Sequence, residues 1–407
     1  MLANLAGPNR VVLGIFRKKR DTFMAYRVAF HDSIDQVAPR QWQALQRGAS
    51  ELVMDARFIR AVERSTRDLV GRLSYLVICD EREEAVAGVC LCVCDVDLAL
   101  LATGGLRTAV AALGRVAPGL TRLRTLFVGL PLAAGRNCLL LAPGAAVQEV
   151  LPVLNDHLGE VALRHGARLI VVANLTAEDC RRLEPLEKLG YARAGGWPMN
   201  YAPTGFRDFD DFCASLNSRK RYPIQRSRKK FEQSGLRVVH RSGGDGVDRL
   251  YTDAVHRLFE AVEEDKARIT GVPAAFFREL ACQMPRESVF TFIEDGDRVA
   301  ACATSLWMGG FFQEMFVAFD YELNPRCDLY FNLFFNAVDF AFRHGASEIL
   351  LGATSDTFKT QKLGACQRPR YHYFKCLRPL GSRLAPRIIK RWFPVAPTNY
   401  HGAKEGP

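Results

Sequence analysis

The densest hydrophobic pattern of the chain lies between residues 311 and 365. It opens with the nearly continuous apolar run 311–319, which is typical of a buried strand. A helix-length block from Tyr330 to Phe342 follows, and a second apolar run of strand length occupies 348–352. Strand, helix and strand in this order predict a βαβ unit whose two strands are parallel neighbours.

The polar residues of the middle block share one narrow stripe. They stand at i, i+4, i+7 and i+11 of a helical repeat, and almost every position between them is apolar. Because only one edge of such a helix favours water, we expect the helix to be mostly buried. The stripe consists of Asn332, Asn336, Asp339 and Arg343.

The same unit has a counterpart earlier in the chain. Residues 341–346 read AFRHGA and residues 162–167 read ALRHGA, and a hydrophobic strand pattern follows each. Further along, KLG at 362–364 matches KLG at 188–190. Two matches in one order and at nearly one separation predict an internal duplication. We therefore expect two copies of one α/β fold in tandem.

Antiparallel hairpins precede the repeated unit in both halves. One predicted hairpin joins the strand patterns 75–79 and 85–94, and another joins 288–293 and 299–307. The predicted fold class is therefore α/β, with a mixed α+β sheet. We predict a leader at 1–27, a first domain at 28–205, a second domain at 206–378 and a basic tail at 379–407.

A formal net charge of +11 on 407 residues bears on the partners. A basic surface favours an anionic partner such as a nucleotide, tRNA, an acyl-carrier protein or an anionic membrane surface. The alternative is an ordinary basic enzyme that binds no polyanion. The length also suits two hydrophobic cores better than one.

Cysteines and apolar segments bear on the compartment. The twelve cysteines form no CxxC pair, so we predict reduced thiols and no metal site. The short apolar stretch 11–16 precedes its basic residues, unlike a signal peptide. Arginines and glycines interrupt the apolar segment 98–134, so we predict no transmembrane span there. We expect an insertion with a packing role, and the alternative is that the segment lines an acyl tunnel. We expect a cytoplasmic protein, with peripheral membrane contact as an open alternative.

Two stretches carry a family resemblance. One is the basic segment 219–230, with seven basic residues and no acid; the other is 358–365, which reads FKTQKLGA. Together with the order of elements, they resemble the GNAT acyltransferase fold, in two tandem copies. Such tandems look like the Fem-type peptidyltransferases and the related FemAB-like or CelD-like N-acyltransferases. The resemblance spans about 28–378.

The junction between strand and central helix departs from ordinary GNAT enzymes. Those enzymes hold the CoA pyrophosphate on a glycine-containing turn, where backbone N–H groups and the helix dipole meet the phosphates. Residues 320–329 contain no glycine. Fem-type enzymes also lack the turn and use a macromolecule-borne acyl donor, so this departure weakens a plain acetyl-CoA interpretation.

Two residues are predicted to be catalytic. Lys359 follows the carboxyl end of a central strand, where open α/β sheets bind ligands, and an ammonium there can hold a phosphate or an oxyanion. Glu314 is predicted to share a face with Phe312 and Phe316. Apolar neighbours raise the pKa of a carboxyl, which suits a base that takes a proton from an amine. The alternatives are a solvent-exposed lysine at a helix start and a glutamate paired with a basic neighbour.

Seven further residues are predicted to contact substrates. Asp320 and Asp328 flank the strand–helix junction and suit an acceptor amine, or else cap the helix. The basic segment, which Tyr222 and Pro223 are expected to interrupt as a helix, supplies phosphate contacts. A tyrosine on the last strand can protonate a leaving group. The predicted substrate-binding residues are Asp320, Asp328, Tyr330, Lys362, Arg221, Arg226 and Tyr373.

The resemblance and these residues together imply an enzyme. We expect an N-acyltransferase that moves an acyl group from a CoA or carrier-protein thioester to the amine of a small molecule or peptide, with no permanently bound cofactor. The first alternative is a peptidyltransferase that uses aminoacyl-tRNA to form an amide bond. The second is a non-catalytic protein that binds anionic lipid or RNA through 219–230 and the tail.

Overall fold

The computed structural model describes residues 10–14, 26–46, 52–66, 72–97, 108, 112–116, 121–130, 132–133, 135–264 and 271–377. The described chain divides into two compact units. The first holds the residues up to Gly196 together with 369–377, and the second holds 197–368. The predicted tail 379–407 lies outside the described residues, as do most of the predicted leader 1–27 and part of the segment 98–134.

Strands and helices are numbered in chain order. The strands are β1 (Arg10–Gly14), β2 (Tyr26–His31), β3 (Leu73–Cys79), β4 (Ala85–Asp97), β5 (Arg122–Val128), β6 (Leu139–Leu141), β7 (Leu169–Leu175), β8 (Ala192–Ala202), β9 (Arg237–Ser242), β10 (Ser288–Asp295), β11 (Arg298–Met308), β12 (Phe311–Phe319), β13 (Glu348–Gly352) and β14 (Cys366–Cys376). The α-helices are α1 (Pro39–Gln46), α2 (Ala56–Thr66), α3 (Val147–Arg164), α4 (Ala177–Arg182), α5 (Pro185–Lys188), α6 (Phe209–Ser215), α7 (Ser218–Glu232), α8 (Val247–Leu250), α9 (Asp253–Glu264), α10 (Ala274–Gln283), α11 (Asn324–Cys327), α12 (Leu329–Arg343) and α13 (Asp356–Lys362). Within the described ranges, no helix is both long and apolar enough to cross a bilayer.

The first unit is built on a mixed sheet. Its strand order is β1-β2-β3-β4-β5-β7-β14, and β6 pairs with β4. The strands β5 and β7 are parallel, whereas the other pairs are antiparallel. The long helix α3 lies between β6 and β7 in the chain. Its residues Leu151 and Leu158 belong to one core with Leu126 of β5 and Ile170 of β7.

The second unit repeats this plan. Its strand order is β9-β10-β11-β12-β13-β8, with β12 and β13 parallel and the other pairs antiparallel. The predicted parallel neighbours around a central helix are therefore confirmed. That helix, α12, is mostly buried as expected: Asn332 is buried, Asn336 and Asp339 are half-buried, and Arg343 is exposed.

Both units end the long helix in the same way. Gly166 follows α3 with φ +68° and Gly345 follows α12 with φ +67°. Glycine reaches this left-handed conformation without the steric cost that a side chain adds. The residue after each glycine donates its N–H to the carbonyl five residues back, at 2.8 and 2.9 Å. The predicted duplication of one α/β unit is confirmed.

The basic segment forms one helix, α7, so the predicted interruption at Tyr222 and Pro223 is wrong. Asn217 caps the helix by accepting a backbone N–H of the first turn at 3.0 Å. Ile224 and Phe231 anchor one side of the helix in the core. Proline removes one helical hydrogen bond, and the cap and the buried side offset that loss.

Candidate active site

The parallel strands β12 and β13 pair over a short distance and then separate. Residues 311–313 pair with residues 348–350, after which β12 continues to Phe319. We call the opening between the separating strands the wedge. Glu314 is the first residue of β12 beyond the paired part, and ligands of open α/β sheets bind at such carboxyl ends of parallel strands.

A β-bulge at the same point decides which face Glu314 occupies. Ser305 of β11 pairs with Glu314, while Thr304 pairs with Phe316, so β12 carries one extra residue there. Residues opposite each other share a face, and successive residues of β11 alternate between faces. Glu314 and Phe316 therefore lie on opposite faces, and the prediction that Phe316 flanks Glu314 is wrong because the extra residue reverses the alternation. Phe312 does share the face of Glu314.

The carboxyl group of Glu314 is withdrawn from water. The residue is 4% exposed, and its Oε2 accepts a hydrogen bond from the Ser305 hydroxyl at 2.9 Å. Its Oε1 is buried and has no hydrogen-bond partner within the described chain. Burial raises the pKa of Glu314 to about 8, against the lowering effects of the Ser305 hydrogen bond and the Lys359 charge. A carboxyl group with this pKa can accept a proton from an ammonium near neutral pH.

Lys359 lies on α13 and is 2% exposed, so it is not a solvated lysine at a helix start. Its Nζ donates to the carbonyl of Leu351 and lies 5.1 Å from the centre of the Phe334 ring. Leu351 has no register partner in β8 or β12 over the described pairs. The lysine thus donates to the carbonyl of a residue that the register of the sheet skips. The charge of Lys359 lowers the pKa of Glu314, so the two predicted catalytic side chains are electrostatically coupled at the wedge.

Tyr330, the second residue of α12, completes this cluster. Burial raises the pKa of Tyr330 to about 12; a hydrogen bond with Ser355 lowers it, and the charge of Glu314 raises it. Ser355 precedes α13 with φ +61°, a left-handed conformation that is costly for serine. Strained backbone of this kind is concentrated at functional sites. The Tyr330 ring packs on Phe334 at 5.0 Å, and the same Phe334 ring lies 5.1 Å from the Lys359 ammonium, so Tyr330 lies near the predicted catalytic lysine.

A second group of predicted residues gathers at the start of α12. Asp328 has φ +52°, and its carboxylate binds the Lys230 ammonium at 2.9 Å. Lys230 also donates to the carbonyl of Pro325. The Nζ of Lys362 lies 3.7 Å from the centre of the Phe331 ring; burial lowers its pKa, while the Asp328 charge raises it. Asp328 thus places a negative charge at a helix N-terminus, where a pyrophosphate would otherwise be favoured.

The remaining predicted residues have other surroundings. Arg226 of α7 is exposed, and Arg221 is half-buried and donates to the carbonyl of Ala214 at 3.5 Å. Asp320 accepts from Arg298 at 3.0 Å and from two backbone N–H groups of the following turn, so its carboxylate fixes that turn.

Tyr373 belongs to the first unit. It lies on β14, and its hydroxyl donates to the carbonyl of Cys180 at 3.5 Å. Burial raises the pKa of Tyr373 well above its usual range. These contacts describe a core tyrosine of the first unit, whereas Glu314, Lys359 and Tyr330 form one cluster in the second.

The first unit lacks the corresponding pair of side chains. Its parallel strands also separate, after Val128 pairs with Val172, but the ten residues 129–138 then divide β5 from β6. Pro185 stands three residues before the KLG match, at the position that Lys359 holds in the second copy. Among the described residues, the buried glutamate–lysine pair therefore belongs to the second unit alone.

Two residues of the cluster, Ser305 and Ser355, were not found from the sequence. Ser305 stands opposite Glu314 only because of the bulge, whose position the continuous apolar run does not reveal. Ser355 lies in the turn before the FKTQKLGA stretch. Its position between a buried strand and that stretch is the sequence signal that could have identified it.

Comparisons with known proteins agree with this architecture. The model of the FemAB-like family, described as peptidoglycan biosynthesis/recognition, matches residues 126–374. The crystal structure of FemX is 12% identical with a TM-score of 0.54, covering 86% of this chain and 99% of that chain. A conserved protein of unknown function from Bacteroides thetaiotaomicron is 9% identical with a TM-score of 0.52, covering 86% and 99%. The C-terminal domain of a putative lysylphosphatidylglycerol synthetase from Agrobacterium fabrum is 13% identical with a TM-score of 0.51, covering 88% and 97%.

No curated protein sequence is a significant match to this chain. At these identities the structural similarities show the fold, and they extend over both units. The family model covers more than half of the 407 residues. The chain therefore belongs to the FemAB-like family and is built from two tandem copies of one α/β unit.

Proposed function

We propose that this protein is a transferase that moves an acyl or aminoacyl group from an activated ester or thioester to an amine, forming an amide bond. The observation that carries the proposal is the buried Glu314 carboxyl group, with a pKa of about 8 and an unpaired Oε1, beside the Lys359 ammonium. An amine is protonated near neutral pH, so a base with a matched pKa is what this reaction needs. The FemAB-like membership supports the same class of reaction.

In the proposed mechanism, the ionised Glu314 takes a proton from the acceptor ammonium. The free amine then attacks the carbonyl carbon of the donor, and the new carbon–nitrogen bond leaves a negative charge on the carbonyl oxygen. The positive charge of Lys359 stabilises this oxyanion in a site shielded from water. The intermediate collapses as the ester or thioester bond breaks: the protonated Glu314 gives its proton to the departing oxygen or sulfur, and the nitrogen releases its second proton to solvent, which leaves a neutral amide and an ionised Glu314.

Two observations favour an aminoacyl ester carried on RNA over a CoA thioester. The start of α12 has no glycine turn, and the Asp328 carboxylate, which is paired with Lys230, already occupies the helix N-terminus where a pyrophosphate would bind. Arg219, Arg226 and Lys229 of α7 are exposed cations suited to a polyanion. A carrier-protein or CoA thioester remains the alternative donor. The description of the family supports the amine of a peptidoglycan peptide as the acceptor.

A donor panel tests the proposal. The protein is incubated with a lysine-containing cell-wall stem peptide and, in turn, aminoacyl-tRNA, acyl-CoA and acylated carrier protein, and amide products are detected by mass spectrometry. We expect product from aminoacyl-tRNA and none from the thioesters. Product from a thioester alone would support the transferase activity and show that the donor is the thioester instead of aminoacyl-tRNA. The absence of amide product from all three donors would contradict the proposed reaction.

A further inference from the structure

The helix α7 carries a basic stripe with an aromatic residue in its middle. The stripe residues stand at i, i+3, i+7 and i+10, so they share one side of the helix. All four are exposed, and the aromatic member, Tyr222, is 67% exposed. The stripe consists of Arg219, Tyr222, Arg226 and Lys229; the buried residues of the helix, on the other side, are Ile224, Ser227 and Phe231.

No described acidic residue forms an ion pair with the cations of the stripe. Two ion pairs of α7 use Arg228 with Asp210 and Lys230 with Asp328, which are outside the stripe. The three basic side chains of the stripe form no ion pair within the described part of the chain, and Glu232 at the end is the one acid of the helix. Three cations thus line about 15 Å of helix and attract a polyanion.

The exposed tyrosine distinguishes between two kinds of polyanion. Unpaired bases of single-stranded RNA stack on aromatic rings, while neighbouring cations contact the phosphates on either side. Arg219 and Arg226 flank Tyr222 in this way. A helix that binds a bilayer surface turns its apolar residues towards the lipid. In α7 the apolar residues Ile224 and Phe231 are buried in the core, so the stripe fits RNA better than anionic lipid.

The stripe also ends at the candidate active site. Lys230 follows its last residue and binds Asp328 at the start of α12. Tyr330 stands two residues later, and its ring packs on Phe334, which the Lys359 ammonium also approaches. We infer that the stripe is the docking surface for the single-stranded, ester-bearing end of an RNA donor, with a base stacked on Tyr222 and phosphates held by Arg219, Arg226 and Lys229. This inference rests on the proposed function and adds the surface that holds the donor.

A binding measurement without turnover tests the surface. Fluorescence anisotropy of a labelled 12-nucleotide single-stranded RNA is followed over a series of salt concentrations, in the Glu314→Gln background. Tyr222→Ala is expected to weaken binding about five-fold or more, because it removes a base-stacking contact. Arg226→Ala is expected to reduce the slope of log affinity against log salt by about 0.7, the contribution of one phosphate contact.

Matched controls separate this surface from general charge and aromatic effects. Trp197→Ala removes a side chain that is 68% exposed, and Arg182→Ala removes an exposed arginine of the first unit. Both should leave RNA affinity unchanged. Equal losses in Tyr222→Ala and Trp197→Ala, or binding of phosphatidylglycerol vesicles without any RNA binding, would overturn the inference. Stripe-dependent RNA binding by a protein that forms no amide product would support the surface and count against the proposed function alone.

Discussion

Ser305 and Glu314 face each other across β11 and β12 at a β-bulge, with the serine hydroxyl 2.9 Å from Oε2 of the glutamate. The hydrogen bond stabilises the ionised carboxylate, whereas burial stabilises the neutral acid. The pKa of about 8 reflects both effects, with burial the larger. Ser305 faces Glu314 because β12 carries one extra residue at the bulge. Its hydrogen bond brings the pKa of Glu314 closer to neutral pH.

Removing the Ser305 hydroxyl should reduce the fraction of Glu314 that is ionised at neutral pH. In Ser305→Ala the pKa of Glu314 rises further, because the stabilising hydrogen bond to the carboxylate is gone. A hydrogen bond to a charged group contributes about 1.5 kcal/mol, so the rate at pH 7 should fall about tenfold and recover at higher pH. The pH–rate profile of amide formation checks this. An unchanged profile would show that the hydroxyl does not adjust the base.

Glu314 should make the protein less stable as the pH rises. Its pKa is raised from 4.5 to about 8, so the folded state binds a proton that the unfolded state has released between these values. The free energy of unfolding contributed by this group is therefore fully present below pH 4.5 and is lost as the pH rises to about 8. Urea denaturation over this range should show the loss in the wild type and a smaller loss in Glu314→Gln. Parallel stability curves would contradict the raised pKa.

Lys359 should matter for stability as well as for catalysis. In Lys359→Met the buried carbonyl of Leu351 loses its donor, which should lower the free energy of unfolding by about 1–3 kcal/mol. The pKa of Glu314 should rise, because the positive charge that lowers it is removed. Denaturant unfolding and the pH–rate profile measure the two effects.

Lys362→Met provides the matched control for Lys359→Met. It removes a lysine of the same helix that is stacked on the Phe331 ring. Its stability loss should be smaller, and the pH–rate midpoint should stay in place. Equal effects of the two substitutions on both measurements would refute the special role of Lys359.

Ser355 combines backbone strain with a functional contact. Glycine at this position removes the cost of φ +61°, so Ser355→Gly should be about 1 kcal/mol more stable than Ser355→Ala. Both variants lose the hydroxyl that lowers the pKa of Tyr330, so both should be less active than the wild type. Thermal unfolding and turnover measure the two effects. If the alanine variant were the more stable, the strained conformation would be refuted.

The βαβ units and the duplication could be predicted because the sequence repeats their signals. The helix stripe from Asn332 to Arg343 has a clear period, and the ALRHGA and AFRHGA stretches mark equivalent helix ends. Glu314 and Lys359 could be selected because strand ends in α/β sheets bind ligands. The structure shows that these two side chains also act on each other electrostatically.

The details of the site could not be predicted because they depend on tertiary pairing. A continuous apolar run has no alternation, so the bulge that separates Glu314 from Phe316 leaves no mark in it. The burial of Lys359 depends on the carbonyl of Leu351, a residue that the register of the assembled sheet skips. Likewise, α7 continues through Pro223 because its other side is buried in the core.

Single-turnover kinetics of Glu314→Gln test whether Glu314 is the base in amide formation. Glutamine keeps the shape of the side chain and cannot accept the proton. With the best donor of the panel, at pH 8, we expect amide formation to slow by 10²- to 10⁴-fold, the usual contribution of a general base. Intact RNA binding and a single cooperative unfolding transition would show that the fold is preserved. Amide formation by Glu314→Gln at the wild-type rate would contradict the account.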